Sequence, residues 1–355
     1  MDQALPIDLQ IQKLEEKVKA ANLPSDLLEK VDGMVLLLRS SIKTGGGTFT
    51  DFENISNYVN WVSSLPFEKE TQDVMDLTKV KQVLDKNHYS LENIKSTILE
   101  YLSSLILNMQ INQTDKSVKA PILCLIGLVG TGKTTLAVSI AEAMGRKFER
   151  IPFGGMGDSL ALRGQSRSFP DAEPGLVIKK LVHAQSKNPV ILLDELDRVA
   201  EHARPDIMGV LIELLDSEQN KFFTDHYIDY PFDLSQVLFI ATANNTTNIS
   251  TAVLDRLEII QMPSYNDEEK TIIGKDFIFP KILKENGLQP SQIVIDQALW
   301  SSIIRPLGYD SGTRSLQRTI ETICRKVARM IVEGKVAKDQ AVTINAQNLR
   351  QFVPM

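Results

Sequence analysis

The apolar positions of the first hundred residues recur at helical spacing. Leu9, Ile11 and Leu14 mark one face of a helix over residues 7–20, and Leu27, Leu28, Val31, Met34 and Leu38 mark a second over residues 24–42. The stretch TGGGTFT at residues 44–50 interrupts the pattern. Three successive glycines give up much backbone entropy on entering a helix, so a flexible loop or linker is expected there. Helical periodicity resumes over residues 52–65, where Pro66 stops it. It returns over residues 77–84 and 90–109, with Ser90 expected as an N-cap. The texture changes at Ala120. Short apolar runs then alternate with helical patterns: 122–126 and 133–144, 148–153 and 176–186, 190–193 and 205–215, 237–243 and 257–262. Apolar runs separated by helices are what a parallel sheet covered on both faces requires. From Asp267 the pattern is helical again over residues 269–284, 297–304 and 313–332, with one last strand expected over 341–344. The expected fold class is therefore α/β, divided into a mostly helical segment (1–119), an α/β core (120–265) and a helical tail (266–355).

Composition narrows the chemistry. With 355 residues, 43% hydrophobic and 24% charged, the chain has the make-up of an ordinary globular protein of two or three domains. A collagen-like, disordered or disulfide-stapled chain is excluded. The 39 basic and 45 acidic side chains leave a net charge of −6, which disfavours nucleic acid or an anionic membrane as the main partner. Cys124 and Cys324 are too few for a disulfide framework or a thiolate metal site. No apolar run approaches the ~20 residues that span a bilayer, and the opening MDQALPIDLQ lacks the basic start and apolar core of a signal peptide. A reducing compartment, the cytoplasm or an organelle matrix, is the expectation.

One segment carries specific chemistry. Gly127-Leu-Val-Gly130-Thr131-Gly132-Lys133-Thr134 fits G-x-x-x-x-G-K-[S/T], the Walker A pattern, directly after an apolar strand. Glycines let successive N–H groups face phosphates, and the following helix, with Thr135 in its first turn, presents its positive N-terminus. Lys133 is expected at the β- and γ-phosphates of ATP, and the Thr134 hydroxyl on Mg2+. A second pattern, Val190-Ile-Leu-Leu-Asp194-Glu195, is a buried strand that delivers two carboxylates to the sheet's C-terminal edge, where open α/β folds bind ligands. As a Walker B element, Asp194 is expected to hold Mg2+ and Glu195 to polarise the attacking water. A third apolar strand ends at Asn244, which either bonds the lytic water or γ-phosphate or simply ends the strand in a turn.

With the three motifs in this order, the chain resembles an AAA+ ATPase, and more specifically the ATPase portion of the Lon protease family. The likeness rests on NYVNWVSSLPF (57–67), LDKNHYSLENIKSTILEYL (84–102), LLDELD (192–197), LLDSEQNKFFTDHYIDYPFDL (214–234), FIATAN (239–244) and LDRLEII (254–260). The resemblance implies an AAA+ P-loop core with a C-terminal helical lid, the helical front being the end of the family's N-terminal region. It implies an arginine finger at Arg256, supplied to a neighbouring subunit's ATP in a hexameric ring, where such a finger raises phosphoryl transfer by ~10³–10⁵. From the residues alone, Arg256 is a surface ion pair. The resemblance also places a second sensor at Arg314 on the lid, against the γ-phosphate. It puts the adenine pocket at His88, Tyr89 and Ile94, whose plain reading is loop and helix core.

The segment 154–175 matches the loop that carries the family's polypeptide-gripping pore residues, with Phe169-Pro170-Asp171 where the family has an aromatic, a β-branched aliphatic and glycine. The second pore loop should fall near residues 200–205, which contain no aromatic. No P-x-G-P-S-A-G-like segment of the Ser–Lys peptidase occurs. The chain is thus expected to be either an excised ATPase module or a stand-alone protein, with a peptidase as a companion domain or partner. His183, His202 and His226 lack metal-ligand spacing, and the basic stripe of Arg318, Arg325, Lys326 and Arg329 suits a solvated face or subunit contact. Two functions follow: an ATP-hydrolysing motor of protein quality control that unfolds or translocates misfolded polypeptides, or a nucleotide-responsive assembly or adaptor protein with little turnover.

Overall fold

The computed structural model describes residues 7–44, 49–111, 121–305 and 312–353. The glycines at 45–47 and the change of texture at Ala120 lie outside the described residues. At the N-terminus, α1 (Ile7–Ala20) and α2 (Ser25–Lys43) turn Ile11, Leu14, Val18, Leu27, Val31 and Leu38 inward. Both pack on α3 (Phe49–Ser64), which buries Tyr58, Val59 and Val62 completely. Next, α4 (Leu77–Asn87) starts on the Asp76 carboxylate, which accepts from the Thr78 and Lys79 N–H groups at 2.9 and 3.4 Å. Ser90 is not the N-cap of α5 (Glu92–Ile111): Ser90 and Leu91 both take left-handed φ, 58° and 64°. An N-cap needs extended backbone to bring its oxygen over the first turn. Ser90 instead donates to Glu269 Oε1 at 2.9 Å.

The alternating middle of the chain folds as β1 (Ile122–Ile126), α6 (Lys133–Met144), β2 (Phe148–Pro152), α7 (Leu160–Arg163), α8 (Leu176–Ala184), β3 (Val190–Asp194) and α9 (Arg204–Leu215). A hairpin of β4 (Phe223–Thr224) and β5 (Pro231–Phe232) follows, then β6 (Leu238–Ala243), α10 (Thr251–Leu254) and β7 (Leu257–Gln261). The strand order is β2-β3-β6-β1-β7. Strands β2, β3 and β6 are parallel, with Pro152 opposite Asp194 and Leu193 opposite Ala241. Every residue of β1, β3 and β6 is buried, as apolar runs in a two-sided sheet should be. The edge strand β2 departs from that expectation: Arg150 and Pro152 are exposed between buried Glu149 and Ile151. An edge strand keeps one face or flank in water, so alternation suffices there.

The tail runs from α11 (Asp267–Ile272) through a π-helical turn at Ile273–Ile278 into α12 (Phe279–Glu285), with helical backbone across both junctions, so the expected helix over 269–284 forms with one widened turn inside it. Pro280 explains the widened turn, because it has no N–H for the turn before it and widening the ladder accommodates its ring. Then come β8 (Ile293–Ile295), α13 (Trp300–Ile304), α14 (Arg314–Val332), β9 (Val342–Ile344) and α15 (Leu349–Phe352). The last strand pairs in parallel with β8, which the short IVI run did not announce. One face of α14 (Leu316, Ile320, Ile323, Cys324, Val327) closes a core with Trp300, Ile303 and Phe352. The chain divides into two compact units: Met1–Met75, Ser103–Cys124 and Met144–Glu258 in one, and Asp76–Leu102, Leu125–Ala143 and Ile259–Met355 in the other. Among the described residues, no helix is long and apolar enough to cross a membrane.

Candidate active site

The expected site residues fall into two groups, one in each unit. In the second unit the turn 127–132 leads into α6. Gly130 and Gly132 have φ of 84° and 93°, a region in which an L side chain is strained. Gly127 has no room for a side chain, since a Cβ there would lie 2.7 Å from Met262 Cβ and its carbonyl. Thr131 Oγ1 donates to Leu128 O at 2.9 Å, and Thr135 Oγ1 to Gly132 O at 2.8 Å. The Lys133 ammonium folds back onto the carbonyls of Gly127 and Leu128, at 2.5 and 3.0 Å. Thr134 is exposed.

Arg314 is brought to this loop by its backbone. The Thr313 N–H donates to Gly130 O at 2.9 Å, and a Cβ on Gly130 would sit 3.2 Å from the Arg314 nitrogen. Gly312 is equally tight: a Cβ there would meet Val129 O at 2.4 Å. The Arg314 side chain itself is exposed. Gly312 and Thr313 were not singled out in the sequence; the G-T dipeptide before the helix was the available signal.

Beside the loop is a cavity of about 180 Å³ whose lining includes His88, Tyr89, Gly132, Thr135, Phe277 and Lys281. Tyr89 and Phe277 rings lie 6.3 Å apart, tilted by 57°. His88 Nε2 pairs with Ser139 Oγ at 2.9 Å. Burial, and then the Lys95 charge, push its pKa down to about 4, so the imidazole is neutral at pH 7. Ile94 is buried on α5 and is not one of the residues lining this cavity. The Tyr265 hydroxyl donates to Thr131 O at 3.2 Å, and burial raises its pKa to about 12.

In the first unit, β3 delivers Asp194, 5% exposed, and its carboxylate is held on both sides. Thr242 Oγ1 donates to Oδ1, while Arg150 Nε donates to Oδ2 at 2.7 Å. Glu195 follows in a left-handed conformation, φ 62° and ψ 50°, with its N–H on Thr242 Oγ1 at 3.0 Å. Its carboxylate pairs with Arg198 at 3.2 Å. A side chain on Gly154 would stand 2.8 Å from Glu195 Oε2, so the glycine leaves the carboxylate its space.

Asn244 is fixed by Asp197, 6% exposed, which accepts from the Asn244 N–H at 3.0 Å and from its side-chain amide at 3.2 Å. Asn245 and Asn248 also bond to Asp197. Arg256 pairs at 3.0 Å with Asp216, not with its neighbour Asp255, and also donates to Ala252 O at 2.8 Å. The Glu218 N–H and the Arg256 guanidinium hold the Asp216 carboxyl below its ordinary range. Arg150, Thr242, Asp197 and Asp216 are thus positioning partners that sequence reasoning missed. Asp197, Asp216 and Thr242 did lie inside the LLDELD, LLDSEQN and FIATAN segments.

Cys124 and Cys324 are buried thiols pushed up to about 12 by burial, which leaves them unreactive. Among the described residues, no group of three or more His, Cys, Asp or Glu could cage a metal ion. The Thr134 hydroxyl and Asp194 carboxylate are hard oxygen donors, the kind that suits a magnesium ion held chiefly by phosphates and water.

Comparison with known proteins gives two family matches. Residues 123–265 match the family described as ATPase family associated with various cellular activities (AAA), and residues 284–340 match the Lon protease AAA+ ATPase lid domain. The chain is 39% identical over 351 residues to a Lon protease of Syntrophomonas wolfei, covering 97% of this chain and 41% of that protein. It is 42% identical over 332 residues to a Lon protease of Lawsonia intracellularis (94% and 39% covered). To a Lon protease of Clostridioides difficile it is 40% identical over 347 residues (98% and 42% covered). The chain therefore spans about two fifths of the length of these curated relatives.

Proposed function

Because this chain belongs to the Lon family, as an AAA+ ATPase of the Lon type, we propose that it binds ATP with magnesium, hydrolyses it, and uses the cycle to move a polypeptide. The observation that carries the reading is the turn 127–132. Two glycines at positive φ and a third with no room for a Cβ make a backbone cradle at the start of α6, with Lys133 already folded over it. A helix N-terminus preceded by such a turn stabilises phosphate through N–H donors and the helix dipole.

Within this reading, Lys133 leaves its loop carbonyls for the β- and γ-phosphates. Thr134 and Asp194 would hold magnesium, which when bound neutralises phosphate charge. Glu195 orients and polarises the attacking water, and Asn244, held by Asp197, fixes that water or the γ-phosphate. Arg314 answers the γ-phosphate, because the start of its helix abuts Gly130. The cavity lined by His88, Tyr89 and Phe277 suits a planar base: it has aromatic faces and a neutral imidazole. Arg256 serves a neighbouring subunit of a ring, and Asp216 keeps its guanidinium oriented until then. The polypeptide grip is assigned to the loop bearing Phe169, which is 64% exposed.

Steady-state ATPase activity of the wild type and of Glu195→Gln, over a wide range of protein concentration, tests the reading. Wild-type activity per subunit should rise with concentration as Arg256 is supplied in trans, and the variant should lose about 10²-fold or more. Equal inactivity of both proteins at every concentration rejects hydrolysis. Casein then separates motor from adaptor: clear acceleration of the wild type rejects an assembly protein with little turnover.

A further inference from the structure

We propose that Arg167 is the positioning residue of the Phe169 loop, mounting it on helices α2 and α3 through the ring of Tyr58. The proposal rests on the reading of this loop as a polypeptide grip only for its consequence, not for its geometry. The loop is pinched at its base. Gln165 N–H donates to Glu173 O at 3.1 Å, and buried Asp225 accepts from the Gly175 N–H at 2.7 Å. A Cβ on Gly175 would lie 2.0 Å from Leu162 O, and one on Gly164 would lie 2.9 Å from both Asp225 oxygens, so the two ends of the loop close only on glycine. Asp225 also accepts from the Tyr227 and Ile228 N–H groups at 2.9 and 3.0 Å. One carboxylate thus ties the loop base to the strap 225–230.

The flank of the loop is fixed by one side chain. The Arg167 guanidinium stacks over the Tyr58 ring at 4.0 Å, lies 3.9 Å from Asp229 and donates to Met34 Sδ at 3.7 Å. Two of these partners, Tyr58 and Asp229, are themselves anchored. Tyr58 is completely buried, with its hydroxyl donating to Ile228 O at 3.1 Å and its ring 6.2 Å from that of Tyr227. Asp229, in a left-handed conformation, receives the Lys30 ammonium on its carboxylate at 2.7 Å and on its carbonyl at 2.8 Å. Tyr230 donates to Asp26 at 3.0 Å. Lys30, Asp26 and Met34 come from α2 and Tyr58 from α3, so the helical front holds the strap and, through Arg167, the loop.

Two residues beyond the clamp, Phe169 borders a cavity of about 640 Å³ whose other walls include Asn54 and Tyr58 of α3. The loop tip therefore has open space on the helical side, and Arg167 decides whether the tip stands off or falls into it. A guanidinium suits this task because its flat face stacks on an aromatic ring while its edge donates to other groups, which an ammonium cannot do together.

The test uses the whole 355-residue chain with a nitroxide on Ser168→Cys, the native cysteines both being buried. Arg167→Met should sharpen the label's spectrum to that of a mobile loop, and Arg167→Lys should restore part of the order. Basal ATPase without polypeptide should stay within about 2-fold, whereas the casein concentration at half-maximal stimulation should rise about 5-fold at unchanged maximal rate. An unchanged spectrum in Arg167→Met, with the protein folded by thermal melt, overturns the proposal; if that variant melts early, the Arg167→Lys spectrum decides in the same way. A loosened loop with unaltered casein response upholds the mount and rejects the gripping role of Phe169 instead.

Discussion

The two groups of candidate residues are held in place by different means. Around the turn 127–132 the restraints are made by backbone: carbonyls of Gly127, Leu128 and Gly130 receive the hydrogen bonds, and glycine is required at three positions. Around Asp194, Glu195, Asn244 and Arg256 the restraints are side chains, namely Thr242, Arg150, Arg198, Asp197 and Asp216. A cradle made of N–H groups responds to any added Cβ but little to its neighbours' chemistry. A set of carboxylates and amides aimed by partner side chains responds to each partner, even where the partner touches no nucleotide.

The largest effect should come from attacking the backbone group. Gly130→Val forces a β-branched residue to φ near +84° and sets its Cβ 3.2 Å from the Thr313 and Arg314 nitrogens. Such strain costs about 1–3 kcal/mol before the displaced donors are counted. Titration with a fluorescent ATP analogue should show at least about 100-fold weaker binding. Affinity near that of the wild type would mean that this turn is not the phosphate cradle.

A smaller and different loss is expected from Asp197→Ala. It removes the acceptor of two Asn244 hydrogen bonds, and an unsatisfied buried partner costs about 1–3 kcal/mol, or roughly 10–100-fold in rate if it falls on the transition state. The ATPase kcat should drop by that factor while analogue binding moves less than about 3-fold. A variant that lost binding instead of turnover would erase the distinction between the two groups. Weaker still should be Arg150→Met. Arg150 is half exposed, although Asp194 is buried, and it competes with any cation for Asp194 Oδ2. The magnesium concentration at half-maximal ATPase should fall by up to about 5-fold; a rise would show that Arg150 supports the metal site.

The same contrast explains what could be read before the structure. The strands at 122–126, 190–194 and 238–243 are buried throughout and apolar apart from Asp194 and Thr242, and the glycines at 127, 130 and 132 announce a turn without side chains, so the fold class and the phosphate cradle are written in residue type and spacing. Pairings made by side chains across long sequence separations leave no such mark. Nothing local tells that Arg256 pairs with Asp216, 40 residues away, rather than with Asp255. Nor does anything local tell that Arg150 reaches Asp194, because that contact exists only once β2 and β3 lie side by side with Pro152 opposite Asp194. Ser90 failed as a cap for a related reason: its left-handed backbone follows from tertiary packing, and a serine before an amphipathic run carries the same local signal either way.

The smallest expected effect lies at the edge of the backbone-held group, where one side chain does matter. His88 is buried beside α6, and its imidazole has a pKa of about 4 against an ordinary 6.5. Between those values the unfolded chain holds a proton that the folded chain does not, so stability is complete above about pH 6.5 and declines as the pH falls toward 4. His88→Gln keeps a group able to bond Ser139 Oγ but removes the titration. The difference in urea midpoint between wild type and variant should therefore shift in the variant's favour from pH 7 to pH 5. His183, His202 and His226 are present in both proteins and cancel. Parallel pH dependences would sink this account of His88, and would leave the neighbouring cavity with no group that distinguishes pH 5 from pH 7.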